Sequence, residues 1–362
     1  MKKDHLYFMN LCLRLALKAK GKTSPNPMVG ALVVKNGRIV GQGYHEKVGL
    51  PHAEVNALDE AGRLAKGAVL YSTLEPCVHF GRTPPCVDRI IKSKIKEVIV
   101  GMVDPNPINN GRGIKILKQH RIKVKVGFLE DKLKNLNAAF IKYVTKKIPY
   151  VTVKVGQSLD GKIATKKGDS KWITSDVARA YVHRIRQNYD AIMVGVNTIL
   201  RDNPILDAWF SKRQPIKIVV DSQLSTPQDA DIFLKNSSVI VVTTSTKPGQ
   251  ETENRKILAQ RAKILEVREK EGQINLRDMM RKLAQLQISN ILVEGGGTLI
   301  GSLFDDGLVD KVLFFISPKI IGGKEAISSV MGKGVRRIDN AIKLRDVRLK
   351  RIGEDLLVEG YV

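Results

Sequence analysis

Hydrophobic and polar positions alternate with two different periods along the chain, so helices and strands are predicted to follow one another throughout. Residues 5–20 carry apolar side chains at helical spacing. Residues 30–34 and 38–44 alternate as strands, and the intervening Asn36 and Gly37 predict a two-residue hairpin turn. The pattern is typical of a mixed α/β fold.

The series of elements runs to residue 127 and begins again at residue 150. We predict helices over 52–61, 86–93, 113–119 and 132–147, and strands over 68–73, 97–103, 123–127, 150–155, 191–194, 216–220, 238–243, 290–293 and 311–316. Pro149 ends the charged helix that connects the two series. We therefore predict two domains, 1–148 and 149–362.

Composition narrows the class of protein. The chain has 362 residues, of which 43% are hydrophobic and 27% charged, as in folded two-domain proteins. No apolar run reaches the roughly 18 residues that a membrane span requires, and the N-terminus lacks a signal-peptide pattern. Three cysteines are too few for a disulfide framework. We expect a soluble cytoplasmic protein that makes no membrane contact.

The net charge of +25 raises the question of a nucleic-acid ligand. Residues 1–148 hold 27 basic and 11 acidic side chains, and the rest of the chain holds 34 and 25. The basic excess is therefore spread over both domains and forms no continuous basic run. We favour a lysine-rich surface with anionic small-molecule ligands, and expect no nucleic-acid partner.

The densest chemistry of the first domain lies between His52 and Cys86. His52 stands at the start of a predicted helix, Cys77 follows a predicted strand, and Cys86 begins the next helix. One imidazole and two thiolates would hold zinc and leave its fourth position open for a water, whose pKa falls to about 7. Glu54, two residues after His52, would take the water proton and return it to a leaving amine. Each residue alone could be a buried core group, but the set indicates a zinc deaminase.

The loop between the two cysteines is longer than in the usual nucleobase-deaminase signature, with eight residues instead of two. His52-Ala-Glu-Val-Asn-Ala57 and Thr73-Leu-Glu-Pro-Cys-Val-His-Phe-Gly-Arg-Thr-Pro-Pro-Cys86 resemble the family of bifunctional riboflavin-biosynthesis deaminase/reductases. One departure is Val78, where the family usually has Ser. The resemblance implies a cytidine-deaminase-like α/β/α domain whose substrate is a diaminopyrimidinone carrying ribose 5-phosphate.

The resemblance extends to two Asn-Pro loops, at 24–30 and 104–107. It implies that the phosphorylated pyrimidine contacts Asn26, His79, Arg82 and Asn106. We add His45 to these candidates, because it ends a predicted strand close to the loop. Turn formation is the alternative for the two Asn-Pro pairs. Cys12 has no partner motif and is predicted to be a small core residue.

Residues 291–304 of the second domain are predicted to form a strand, a glycine turn and a helix. This arrangement can bind a phosphate, but the glycines are nearly as well explained by a tight turn alone. Several motifs here, among them 158–164, 168–174, 194–198 and 293–298, resemble the reductase half of the same family. The implied fold resembles that of dihydrofolate reductase. The implied reaction is the reduction of the ribose to a ribityl chain by NADPH.

The resemblance assigns two sets of residues to this reaction. NADPH would be bound by Gly156, Trp172, Thr198, Asp202, Ser222, Gly296, Gly297, Thr298, Leu299, Ile300, Gly301 and Ser302. The substrate would be bound by Ser170, Arg186, Leu206 and Glu294. Trp172 has a competing interpretation as a core anchor.

The segment after Asp202-Asn-Pro departs from the family, which usually continues Leu-Thr-x-Arg. Here Asp207 replaces Thr and Trp209 replaces Arg, so a guanidinium suited to phosphate is missing. One alternative is therefore a deaminase whose reductase half is impaired or repurposed. The other is an RNA deaminase, which would need base-stacking aromatics, although aromatics are only 5% of the chain. A homo-oligomer is possible.

Overall fold

The computed structural model describes residues 4–81, 83–209, 211, 213–234, 237–244 and 253–362. The chain divides into two compact units between Lys147 and Ile148, one residue before the predicted boundary. Among the residues described, no helix has both the length and the apolar character needed to cross a bilayer.

The first unit contains one five-stranded sheet with helices packed against it. Its elements are α1 His5–Leu17, β1 Gly30–Lys35, β2 Arg38–Tyr44, α2 Ala53–Ala61, β3 Val69–Leu74, α3 Cys86–Lys92, β4 Glu97–Met102, α4 Arg112–Gln119, β5 Lys123–Val126, α5 Glu130–Leu136 and α6 Ala138–Lys146, with a 3₁₀ turn at Gly62–Ala65. The strand order is β2-β1-β3-β4-β5, in which β3, β4 and β5 are parallel and the other pairs antiparallel. The ends of β3 and β4 therefore lie side by side.

The predicted hairpin of β1 and β2 is confirmed: Lys35 pairs with Arg38 around Asn36 and Gly37, both of which have positive φ. Glycines on β2 let α2 approach this hairpin closely. A Cβ at Gly43 would lie 2.4 Å from the carbonyl oxygen of Ala53, so only glycine fits here. This close packing places the first turn of α2, with Glu54, against the sheet.

The single helix predicted over 132–147 is wrong, because the structure has two helices, α5 and α6, on either side of Asn137. The Asn137 side chain accepts a hydrogen bond from the Met28 N–H at 2.8 Å and donates one to the Met28 carbonyl at 3.1 Å. This tertiary contact fixes the break between the two helices.

The second unit is built on a nine-stranded sheet. Its elements are β6 Tyr150–Ser158, β7 Lys162–Ala164, α7 Asp176–Arg186, β8 Ala191–Gly195, α8 Val196–Asp202, β9 Ile216–Val220, β10 Val239–Thr244, α9 Glu253–Arg261, β11 Lys263–Val267, β12 Glu269–Lys270, β13 Gln273–Ile274, α10 Leu276–Gln285, β14 Asn290–Val293, α11 Gly297–Asp305, β15 Lys311–Ser317, β16 Ile327–Ser328, β17 Arg345–Ile352 and β18 Asp355–Tyr361, with 3₁₀ turns at Asp231–Phe233 and Ile338–Asn340.

The order of the nine strands is β11-β10-β9-β8-β14-β6-β15-β18-β17. All neighbours are parallel except those involving β18. The central strands are buried on both faces, so their sequences are unbroken apolar runs such as 291–293. Their carboxyl ends lead into the loops that begin α8 and α11, where ligands bind in open α/β sheets.

Candidate active sites

Three side chains with metal-binding atoms converge in the first unit. His52 is the N-cap of α2, Cys77 follows β3, and Cys86 is the first residue of α3. His52 Nδ1 lies 3.2 Å from Cys86 Sγ and 3.5 Å from Cys77 Sγ, and the three donor atoms all lie within 4.8 Å of one another. One nitrogen and two sulfurs in this arrangement fit zinc. The structure thus brings together the three residues singled out in the sequence.

The second ring nitrogen of His52 contacts Thr83, a residue that was not predicted to belong to the site. His52 Nε2 lies 3.3 Å from Thr83 Oγ1, which leaves Nδ1 facing the two sulfurs. Hydrogen bonds of this kind orient metal-binding imidazoles. Thr83 belongs to the long loop between Cys77 and Cys86. This loop therefore holds the imidazole in place, in addition to separating the two cysteines in the sequence.

The two thiols have different surroundings. The backbone N–H of Cys86 donates to Cys77 Sγ at 3.3 Å, which places this sulfur at the N-terminus of α3. A hydrogen bond from the Cys86 thiol lowers the pKa of Cys77 to about 4, and the same pairing raises the pKa of Cys86. Thiolate is the metal-binding form, so the site already favours one of the two thiolates that zinc requires.

Glu54 lies beside the donor atoms in the first turn of α2 and is 3% exposed. Its Oε1 accepts a hydrogen bond from Ser72 Oγ at 3.1 Å, and Cys86 Sγ lies 3.7 Å from its Oε2. Burial raises the pKa of Glu54. A carboxyl group whose pKa is raised in this way is suited both to accept and to return a proton.

Asn26 and His45, two of the predicted substrate residues, lie together next to His52. The rings of His45 and His52 are 5.2 Å apart, edge to face. His45 Nδ1 lies 3.2 Å from the Pro51 carbonyl and therefore donates, so Nε2 accepts from Asn26 Nδ2 at 3.2 Å. Because its amide nitrogen is engaged by His45, Asn26 has its amide oxygen left to accept a hydrogen bond from another group.

Asn106, His79 and Arg82 are the other predicted substrate residues of this site. The Asn106 side chain accepts a hydrogen bond from the Ile108 N–H at 3.3 Å, which is the turn-forming role offered as the alternative. His79 Nδ1 is buried and has no hydrogen-bond partner within the part of the chain that the structure describes. Arg82 lies outside the described residues.

The second unit has a cavity of about 300 Å³ at the carboxyl ends of β8, β9 and β14. Six predicted cofactor residues line it: Thr198, Ser222, Gly296, Thr298, Leu299 and Ser302. The N-terminus of α11 borders the cavity at Gly296, where unpaired N–H groups suit an anion. Gln273, Ile274 and Leu276 also line it, and they were not predicted because the first two form a strand of only two residues and Leu276 begins the next helix.

The other predicted cofactor residues lie elsewhere. Gly297 and Gly301 are buried against the segment of Ser328 and Met331, where added Cβ atoms would meet backbone, and Ile300 is in the core. Gly156 faces Thr174. Trp172 is 61% exposed beneath the Arg179 guanidinium, so its interpretation as a core anchor is wrong. Asp202 accepts a hydrogen bond from Ser170 Oγ at 3.2 Å, which brings these two predicted residues together.

Arg186 and Glu294, both predicted to face substrate, form a buried ion pair. Arg186 Nε and Nη2 donate to Glu294 at 2.7 and 3.1 Å, and Lys154 Nζ donates to the same carboxylate at 3.3 Å. Burial would raise the pKa of Glu294, but the two cations outweigh it and hold the pKa at about 2. Leu206 differs from these residues, because its side chain is buried in the hydrophobic core.

The two residues that depart from the family pattern both contact His183. The Trp209 ring stacks on the His183 ring at 3.9 Å with an interplanar angle of 12°. His183 Nδ1 and Arg186 Nη1 lie 3.1 and 2.9 Å from the Asp207 carbonyl oxygen. Asp207 and Trp209 are thus packed against α7, next to the Arg186–Glu294 pair.

Comparison with known proteins agrees with both halves of the structure. The family model described as "Cytidine and deoxycytidylate deaminase zinc-binding region" matches residues 2–102, and the "RibD C-terminal domain" model matches residues 149–358. The riboflavin biosynthesis protein RibD of Aquifex aeolicus is 44% identical over 353 residues, which cover 97% of this chain and 96% of the relative. That of Escherichia coli is 37% identical and covers 97% of both chains.

Solved structures show the same relationship over the whole chain. Acinetobacter baumannii RibD has a TM-score of 0.88 at 32% identity, with 98% of both chains covered. The deaminase/reductase of Thermotoga maritima has a TM-score of 0.85 at 36% identity and the same coverage.

Fold and sites together define a two-domain enzyme in which a zinc-deaminase domain precedes a reductase domain. The chain belongs to the RibD family of bifunctional riboflavin-biosynthesis enzymes. The predicted fold class is confirmed, and the two domains imply zinc and a nicotinamide cofactor.

Proposed function

We propose that the first unit deaminates a diaminopyrimidinone carrying ribose 5-phosphate and that the second reduces the ribose of the product with NADPH. The observation that carries the proposal is the convergence of His52, Cys77 and Cys86 beside the buried Glu54. The Thermotoga maritima relative is named as a diaminohydroxyphosphoribosylaminopyrimidine deaminase and 5-amino-6-(5-phosphoribosylamino)uracil reductase, which supports the substrate class.

In the deamination, His52, Cys77 and Cys86 would hold the zinc ion. Zinc, when bound, lowers the pKa of a water so that it can attack the ring carbon near neutral pH. Glu54 would take one proton from that water and pass it to the ring nitrogen next to the attacked carbon. It would then move the remaining hydroxyl proton to the amine nitrogen, so that the C–N bond breaks and a carbonyl, a ring N–H and ammonia result. Ser72 holds one oxygen of Glu54 and thereby orients the other.

Asn26, His45, His79, Arg82 and Asn106 are proposed to bind the deaminase substrate. Asn26 has the clearest role, because its donation to His45 leaves the amide oxygen to accept from an N–H of the pyrimidine. His45 then acts on the substrate through Asn26. Asn106 fits an indirect role better, since its amide stabilises its own turn.

In the reduction, the cavity lined by Thr198, Ser222, Gly296, Thr298, Leu299 and Ser302 is proposed to hold the cofactor, which supplies the hydride. Gly156, Trp172, Asp202, Gly297, Ile300 and Gly301 complete the proposed cofactor set, the buried glycines by allowing α11 to approach its neighbours.

Ser170, Arg186, Leu206 and Glu294 are proposed to form the substrate side. With its pKa at about 2, Glu294 is ionised at neutral pH and is therefore not the proton donor. It holds Arg186 and Lys154 in place, and Leu206 contributes through its backbone turn, where φ is positive.

A reducing cytoplasm is the proposed location, because Cys77 and Cys86 can bind zinc only as thiolates and Cys12 is also a free thiol. The homo-oligomer considered above stays a prediction, for which sedimentation velocity of the full chain is the direct measurement.

The proposal is tested by incubating the zinc-loaded full chain with the diaminopyrimidinone ribose phosphate and NADPH. Ammonia release and NADPH oxidation are followed in parallel, with a reaction lacking NADPH as control. We expect ammonia in both reactions and NADPH oxidation in the complete one. Zinc-loaded protein that releases no ammonia would refute the proposed substrate, and ammonia without NADPH oxidation would refute the proposed reduction. Cys86→Ser is expected to lose zinc and ammonia release together.

A further inference from the structure

Glu75 is a buried carboxylate two residues before Cys77, and it is 2% exposed. Its two oxygens accept four backbone hydrogen bonds. Oε2 accepts from the N–H groups of Asp104 and Gly111 at 3.0 and 2.9 Å, and Oε1 accepts from those of Gly113 and Ile114 at 2.9 and 3.2 Å. The side chain therefore ties the end of β3 to the loop after β4 and to the first turn of α4.

The first turn of α4 has no cap of its own, because its N-cap is Gly111. The N–H groups at a helix start need acceptors, and a carboxylate there also opposes the positive end of the helix dipole. Glu75 meets this need from a different element, so α4 and the strand that leads to Cys77 depend on the same side chain.

Asn109 makes a second set of contacts around Cys77 and is fully buried. Its Oδ1 accepts from the Val78 N–H at 3.1 Å, and its Nδ2 donates to the Pro76 carbonyl at 3.4 Å and to Asp104 Oδ2 at 3.1 Å. The backbone groups on both sides of Cys77 are thereby held by one amide.

The packing around these two side chains leaves little room for the loop to shift. A Cβ at Gly113 would lie 2.2 Å from the Pro76 carbonyl oxygen, so the start of α4 rests directly on the residue before Cys77. The position of the Cys77 sulfur is set by the backbone of 76–78, and that backbone is held by Glu75, Asn109 and α4.

We propose that Glu75 and Asn109 are positioning residues for the zinc-binding thiolate of Cys77. Neither side chain is among the donor atoms, and both act through the backbone of the loop that carries the sulfur. The inference rests on the proposed function to the extent that Cys77 binds zinc. Metal affinity should then depend on a hydrogen-bond network that reaches to α4. Residues that hydrogen-bond to metal ligands typically change metal affinity by about 10- to 100-fold.

The test uses two variants of the full chain and one control. In Glu75→Gln the amide nitrogen cannot accept, so two of the four N–H groups lose their acceptor whichever way the amide is turned. In Asn109→Asp the acceptor for Val78 is kept, but the donor to Pro76 and Asp104 is lost and a second carboxylate faces that of Asp104. Glu130→Gln, which makes the same chemical change at an exposed salt bridge to Lys134 in the same unit, is the matched control.

Zinc affinity is measured with the metal alone, by competition with a chelator, and the cobalt-loaded proteins are compared by absorption. We expect the zinc affinity of Glu75→Gln to fall about 10- to 100-fold and that of Asn109→Asp to fall in the same direction, with the control unchanged. At saturating cobalt, the thiolate-to-metal absorption of Glu75→Gln should be weaker or displaced, an effect that a loss of stability without a change at the sulfur would not produce.

Wild-type zinc affinity and a wild-type cobalt spectrum in both folded variants would overturn the inference. Circular dichroism and thermal unfolding establish folding, and if Glu75→Gln does not fold, Asn109→Asp decides. These measurements need no organic substrate, so failure of the inference is distinguishable from failure of the proposed function, which would appear as zinc-loaded wild-type protein that releases no ammonia.

Discussion

Glu54 combines two properties at the residue scale that seldom occur together in a carboxylate. It is almost fully buried, which raises its pKa, and its Oε2 lies 3.7 Å from Cys86 Sγ, one of the three metal-binding atoms, without belonging to that set. The proposed reaction needs both properties, because the same carboxyl group must take up one proton and release it to nitrogen in each turnover.

We expect Glu54→Gln to keep zinc and to lower kcat for ammonia release by about 10²- to 10⁴-fold, since the amide cannot transfer the proton. Zinc content by atomic absorption and ammonia release measure the two effects separately. Glu60→Gln, an exposed change on the same helix, is the control. Ammonia release near the wild-type rate would show that another group transfers the proton.

The Arg186–Glu294 pair predicts a dependence of stability on pH. The folded-state pKa of Glu294 is about 2, below its ordinary value of 4.5, so the ionised carboxylate stabilises the folded protein. This stabilisation, on the order of 3 kcal/mol, is fully present above about pH 5 and is lost as the pH falls toward 2.

Urea unfolding of wild type and Glu294→Gln at several pH values isolates this contribution. We expect the difference in the free energy of unfolding to be largest near pH 7 and to shrink as the pH falls below about 5. A difference that stays constant between pH 7 and pH 3 would contradict the assignment.

The elements that the sequence predicts well are those determined by local pattern. Strands 216–220 and 290–293 have the predicted bounds, because runs of apolar residues between turns predict buried parallel strands. The zinc donor set was also identifiable, since each ligand lies at the start of a helix or the end of a strand.

Features that depend on tertiary contacts were not predictable. The break at Asn137 depends on Met28, which is 109 residues away. Thr83, Glu75 and Asn109 could not be recognised as supports of the zinc site, because their partners are groups distant in the sequence or belong to other elements. Gly297 and Gly301 resemble phosphate-binding glycines in sequence, but the structure places them against the backbone of another segment.

The break between α5 and α6 can be tested directly. Asn137→Ala removes both hydrogen bonds to Met28 and deprives its partly buried N–H and C=O of this partner, which should lower the free energy of unfolding of the first unit by about 1–3 kcal/mol. Asn10→Ala, which removes an exposed side-chain hydrogen bond within α1, should have little effect. Equal stability of the two variants in urea unfolding would show that the Asn137 contact does not hold the break.

At the scale of the whole molecule, each unit carries one candidate site, and the chemistry suggests an order between them. The reductase activity in the name of the Thermotoga maritima relative acts on an aminouracil, a ring in which a carbonyl stands where deamination removes an amine. If the same holds here, the second unit receives the product of the first, and a defect at Glu54 must also slow NADPH oxidation, although the cavity of the second unit is intact.

We expect Glu54→Gln supplied with the diaminopyrimidinone and NADPH to release ammonia and to oxidise NADPH about 10²- to 10⁴-fold more slowly than wild type. Addition of the separately prepared deaminated compound should restore NADPH oxidation to the wild-type rate, because the variant leaves Arg186, Glu294 and the cavity unchanged. NADPH oxidation by the variant near the wild-type rate before that addition would show that the second unit reduces the ribose of the undeaminated ring. The two reactions would then be independent in order, and the bifunctional chain would join two activities without imposing a sequence on them.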